Sequence, residues 1–180
     1  MSKHKVKLLK PIVLVGLMGA GKSTIGVRLA RRLCLPFIDT DNEVQNRVGC
    51  SIKEILKYVG EDFFRIKEHE VIKEVLAGEP CIISTGGGAF INEENRVLIK
   101  EHAISVWLKA NYDVILERVS RRNTRPILEE GNKDEILRQL IEERAPIYAE
   151  ADIEVNSDNG SHMHIVESIL DSLVAHNKKS

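Results

Sequence analysis

The chain has 180 residues, 43% hydrophobic and 29% charged, a balance that supports one folded core and excludes a mainly disordered chain. Its 26 lysines and arginines meet 27 aspartates and glutamates, a formal net charge of -1. No whole-molecule field therefore points to nucleic acid or an anionic membrane, and any charge chemistry is local.

In chain order, Lys3, Lys5, Lys7 and Lys10 open the sequence as a solvated, frayed end without the apolar stretch of a signal peptide. Residues 12–15 predict a strand, and 22–33 a helix with Ile25, Leu29 and Leu33 on one stripe. A strand at 36–39 precedes an insert, 41–59, whose two short helical segments flank Gly49 and carry Ser51 and Glu54 in capping-box spacing. A helix at 62–77, a strand at 81–85, a helix at 93–100 and a strand at 103–108 continue the alternation. Residues 121–132, polar and holding Pro126 and Gly131 behind the run Arg118, Arg121, Arg122 and Arg125, predict a mobile loop. A helix at 133–144 ends ahead of Pro146, a strand comes next at 152–155, and a helix at 161–174 aligns Ile165, Ile169 and Leu173. The pattern predicts a single α/β domain over 1–180 with a five-stranded parallel sheet. No apolar run approaches the roughly 18 residues of a membrane span, so a cytoplasmic protein is expected. Cys34, Cys50 and Cys81 are odd in number and never in CxxC, which points to buried, inert thiols rather than disulfides or zinc.

The sharpest motif is Gly16-Leu17-Met18-Gly19-Ala20-Gly21-Lys22-Ser23, which fits G-x-x-x-x-G-K-[ST] between a strand and an amphipathic helix. Glycines there let backbone N–H groups close around phosphate oxygens, and the helix N-terminus adds positive potential at the same point. Lys22 is placed to reach the β- and γ-phosphates, and Ser23 to ligate Mg2+ through its hydroxyl. The third strand ends in Ser84 and Thr85, hydroxyls where a second acidic metal partner would stand, which leaves Asp39 as that partner.

Asp39-Thr40-Asp41 closes the second strand, and carboxylates at i and i+2 of a strand share a face. In an open α/β sheet that position faces the ligand, although Asp41 also has the position of a helix cap. Gly86, Gly87 and Gly88 end the third strand, where glycine suits either close ligand approach or a tight turn. Arg65 and Glu68 stand i, i+3 on a helix, either holding the guanidinium in one rotamer or forming a surface pair. Arg144 precedes Pro146 at a helix end, which on the residues alone is equally a solvated terminus.

Together GLMGAGKST, FIDTD, FR..E, STGGGA, NTRPIL and ERAPIY resemble the shikimate kinases in order and spacing, from residue 12 to about 155. The resemblance implies the three-layer α/β/α fold of the nucleoside-monophosphate kinases, with strand order 2-3-1-4-5, a substrate-binding helical insert at about 41–77 and a lid at about 121–132. It implies ATP as co-substrate with Mg2+, and phosphorylation of shikimate to shikimate 3-phosphate. Gly19, Ala20, Gly21, Lys22, Ser23 and Thr24 fall on its nucleotide loop. Asp41 falls on the group that holds the ring hydroxyls; Arg65, Arg144 and the amides of Gly86, Gly87 and Gly88 fall on those that fix the ring carboxylate and a hydroxyl. Arg125 falls on the lid arginine at the transferring phosphate, and Arg118 on the one against adenine, with Arg121 an open alternative.

Two other readings compete. A kinase of the same architecture could act on gluconate or a nucleoside monophosphate, but a nucleotide acceptor favours stacking aromatics, and the insert offers chiefly Tyr58. A nucleotide-dependent switch has no need of a second small-ligand pocket beside the phosphate loop. A monomer is expected, since no exposed apolar stripe demands a partner, and the six histidines form no recognisable constellation.

Overall fold

Strand β1 (Ile12–Val15) is buried on both faces, and its side chains alternate between two cores. Ile12 and Leu14 enter one with Ile25 and Leu29, whereas Val13 and Val15 enter the other with Ile72, Ile99 and Leu137. Around β1 lie β2 (Phe37–Asp39), β3 (Ile82–Ser84), β4 (Ile104–Lys109) and β5 (Ile153–Asn156), paired in parallel in the order β2-β3-β1-β4-β5. The computed structural model describes residues 9–121, 132–158 and 160–178. Lys3, Lys5, Lys7 and most of the expected lid, Arg125 included, lie outside them.

Helices α1 (Lys22–Leu33) and α8 (His162–Asn177) cover one face through Ile25, Leu29, Ile165 and Ile169. Helices α4 (Glu61–Leu76), α5 (Glu93–His102), α6 (Tyr112–Ser120) and α7 (Lys133–Tyr148) cover the other. This is the expected three-layer arrangement. Between β2 and α4 stand α2 (Thr40–Val48) and α3 (Ile52–Tyr58), packed on α4 around Val44, Ile55, Phe64 and Val71. Ser51 and Glu54 form the expected capping box, and Tyr58 is exposed. Among the described residues no helix is long and apolar enough to cross a membrane.

Three expectations are corrected. The segment 112–120, to which the sequence pattern assigns no element, is helix α6; it buries only Ile115 and Val119, one i, i+4 pair, too short a stripe to stand out from the sequence. Pro146 does not end α7, which runs on to Tyr148. The proline removes one helical donor, but burial of the Tyr148 side chain keeps the last turn in place. The cysteines are not uniformly buried either: Cys81 is, Cys50 is half-buried, and Cys34 is exposed at the end of α1 with φ 55°.

Candidate active site

Beyond the carboxyl end of β1 the chain turns through Gly19 and Gly21, at φ 80° and 95°, into α1. L side chains strain at those angles, so glycine here shapes a loop whose amides converge at a helix N-terminus. Lys22, buried, donates from Nζ to the Gly16 and Leu17 carbonyls at 2.7 and 2.9 Å, which sets its ammonium across the loop. Ser23 Oγ donates to Asp39 Oδ2 at 2.7 Å and lies 3.2 Å from Ser84 Oγ. Asp39 and Ser84 are register partners on β2 and β3, so sheet pairing delivers both to Ser23. Thr85 bonds the Leu14 carbonyl.

The two acids do not share a strand face, as the i, i+2 spacing predicts. The strand stops at Asp39, whose Oδ1 accepts from the amides of Asp41 and Asn42 and caps α2. Asp39 therefore takes the cap, and Asp41 stands in the first turn of α2. Both still line one cleft of about 320 Å³ together with Gly19, Ala20, Gly21, Lys22, Ser23, Thr24, Thr85, Gly86, Gly87, Arg118 and Arg121.

The three glycines after β3 each face a different group. A Cβ on Gly86 would lie 2.6 Å from Asp41 Oδ1, one on Gly87 3.7 Å from Arg144 Nη1, and one on Gly88 2.6 Å from Arg65 Nη2. None has a positive φ, so at Gly86 and Gly88 the close approach rather than the turn requires glycine. One short loop thus gathers a carboxylate and two guanidiniums beside the phosphate loop. Arg65 donates to Glu68 Oε2 at 2.8 Å and to Glu61 Oε1 at 3.1 Å. Burial works against its charge, but the two carboxylates more than offset this and hold its pKa above the ordinary value. Glu68 is fully buried, and burial pushes its pKa up; Arg65 opposes this, while Asp41 and Glu61 add to it. The surface-pair alternative for Arg65 and Glu68 therefore does not hold.

Arg118 Nη1 reaches the Gly19 and Ala20 carbonyls at 3.2 and 3.3 Å, and Nη2 the Ser157 carbonyl at 3.0 Å. It ties the phosphate loop to the end of β5. Arg121 lies in the same cleft with its guanidinium 2.5 Å from Glu117. His162 and Ile165 complete this wall, although the sequence marks Ile165 only as part of an apolar stripe and His162 only by its place at the start of α8. Tyr148, also missed, donates to the Gly87 carbonyl at 2.5 Å; the signal available was its spacing of four from Arg144 on one helix.

The sequence model of the family described as shikimate kinase matches residues 18–174. A shikimate kinase of Cereibacter sphaeroides is 46% identical over 167 residues, covering 93% of this chain and 84% of that protein. The structure of the Acinetobacter baumannii shikimate kinase in complex with shikimate superposes with a TM-score of 0.90 at 34% identity, covering 94% of this chain and 95% of that one. A gluconokinase from Sinorhizobium meliloti, at 21% identity and a TM-score of 0.62, shares the fold alone. With the family model spanning most of the chain and a relative this similar along nearly all of it, the protein belongs to the shikimate kinase family.

Proposed function

We propose that this protein transfers the γ-phosphoryl group of ATP to the 3-hydroxyl of shikimate, giving shikimate 3-phosphate for chorismate and aromatic amino acid synthesis. The observation that carries the reading is the glycine loop against which Asp41, Arg144 and Arg65 lie in turn, at Gly86, Gly87 and Gly88, next to the phosphate loop. A compact ring bearing hydroxyls and a carboxylate matches one acid and two guanidiniums, since guanidinium forks suit carboxylates and a carboxylate accepts from hydroxyls. The insert at 41–77 then supplies the acceptor side, and residues 16–24 the phosphate side. The setting is cytoplasmic, and the working unit a monomer.

Phosphoryl transfer through a loose transition state needs positioning and charge neutralisation more than covalent chemistry. Lys22, in the loop, supplies positive charge to the transferring group. Arg125, outside the described residues, adds to it from the lid segment. Asp41 orients the acceptor hydroxyl. Complete removal of an alcohol proton by an ordinary carboxylate is uphill by about 16 kcal/mol, so Asp41 takes the proton late, as bond formation acidifies the hydroxyl. Arg118, with Arg121 and His162, walls the nucleoside end.

Mg2+ fits the donors at Ser23 and Asp39: a hydroxyl and a carboxylate oxygen 2.7 Å apart are hard ligands of the kind it takes. Mg2+ binds through few protein groups together with substrate phosphates. Bound there, Mg2+ would neutralise phosphate charge. The product tests the proposal: phosphorus–proton coupling in the NMR spectrum should assign the new phosphate to the 3-position, and phosphate elsewhere on the ring would overturn the orienting role given to Asp41.

A further inference from the structure

We propose that Tyr148 is a positioning residue that locks the Arg144 guanidinium to the glycine loop and thereby sets affinity for the acceptor. The inference rests on the proposed contact between Arg144 and the acceptor carboxylate. Arg144 and Tyr148 stand four residues apart on α7, hence on one face. The phenol donates its proton to the Gly87 carbonyl at 2.5 Å, and the Arg144 guanidinium lies near enough to the phenol to favour its charged form. A carbonyl only accepts and a guanidinium only donates, so with its proton on Gly87 the phenol oxygen is free to accept from Arg144. Gly87 closes the circuit from the other side, its Cβ position 3.7 Å from Arg144 Nη1.

The phenol is held as firmly as the groups it joins. Tyr148 is 2% exposed, and its ring lies 6.0 Å from that of Trp107 on β4. Two residues on, Glu150 pairs with Arg96 and Lys100 of α5 at 3.4 and 2.5 Å, and Arg96 also donates to the Phe90 and Ile91 carbonyls just past the glycines. The end of α7 is thus fastened on both sides of the glycine loop. Burial pushes the phenol pKa up to about 12, against the opposing pull of Arg144 and Arg65, so the donor to Gly87 persists at every working pH. A long arginine left without that partner samples several rotamers, and a guanidinium recognises a carboxylate only when its fork is aimed.

Tyr148→Phe keeps the ring and removes the oxygen. It should raise the KM for shikimate about 10-fold, the scale of one lost charge-assisted hydrogen bond, while kcat falls less than about threefold and the KM for ATP stays within about twofold. Trp107, the single tryptophan, offers a readout without turnover: shikimate titrated against its fluorescence should show the same shift in midpoint. Arg144→Lys should raise the same KM, and the double variant should be no worse than the more damaging single one, because both act through one guanidinium. An unchanged shikimate KM in Tyr148→Phe, beside a raised one in Arg144→Lys, would overturn the positioning role alone, and a lowered melting temperature with both KM values unchanged would mark Tyr148 as packing only. No effect of Arg144→Lys would overturn both this inference and the acceptor-site reading beneath it.

Discussion

Gly88 lies against Arg65 so closely that a single methyl on the glycine would sit 2.6 Å from Arg65 Nη2 and 2.8 Å from Nη1. The backbone of the 86–88 loop is therefore pressed onto a charged group that α4 holds in place through Glu61 and Glu68. Gly88→Ala should push the guanidinium aside rather than unfold the chain, since the obstructing atoms are the far end of a side chain. The expected result is a shikimate KM raised about 10-fold, the size of one misaligned charged hydrogen bond, with the melting temperature and the KM for ATP close to wild type. Steady-state kinetics with each substrate varied, beside a thermal melt, checks both halves.

Asp41→Asn preserves shape and removes the acceptor of the late proton. Turnover should fall by about 10² or more, the usual size of a general acid–base contribution, while ATP affinity changes little. Turnover near wild type would remove Asp41 from proton transfer.

Glu68 gives the protein a pH-dependent stability of definite sign. Its folded pKa is raised, first by burial and then by Asp41 and Glu61, against the opposing Arg65. In the window from the ordinary glutamate value, about 4.3, up to that raised value, the folded state holds more protons than the unfolded one. Stability from this group is therefore lost as pH rises through the window. Glu68→Gln should remove that slope, so melting temperatures measured across the window should fall less steeply with pH in the variant than in wild type. The same change weakens the hold on Arg65 and should raise the shikimate KM.

Asp39 has two duties that one substitution separates. Asn caps helices about as well as Asp, so Asp39→Asn should retain the bonds to the Asp41 and Asn42 amides and melt near wild type. It loses the charge beside Ser23, and the Mg2+ concentration for half-maximal activity should rise about 10-fold to 100-fold. A Mg2+ titration of both proteins distinguishes this from a purely structural role.

The phosphate loop could be read from the residues themselves, whereas the strand order and the gathering of Asp41, Arg65 and Arg144 at the three glycines were implied only by the resemblance to the shikimate kinases. Glycines at fixed offsets and apolar runs of strand length are local signals, and the six spaced motifs carried the long-range ones. The features that escaped depend on tertiary contacts. Helix α6 offers a single buried pair, Ile115 and Val119, too short an apolar stripe to stand out. Local propensity ends a helix before Pro146, whereas the Tyr148 ring against Trp107 and its hydroxyl on Gly87 hold one more turn. The i, i+2 reading put Asp39 and Asp41 on one strand face, yet the strand gives way to helix between them because Asp39 caps α2. His162 enters the cleft only because β5 ends beside the phosphate loop, where Ser157 bonds the Ala20 carbonyl.

ATP consumption by the purified protein with Mg2+, run in parallel with shikimate, gluconate, AMP or no acceptor, bears directly on the proposed reaction. Stimulation by shikimate alone is the expected result. Stimulation by gluconate or AMP in its place would transfer Asp41, Arg65 and Arg144 to another ligand, and ATP binding without stimulation by any acceptor would contradict the kinase reading itself.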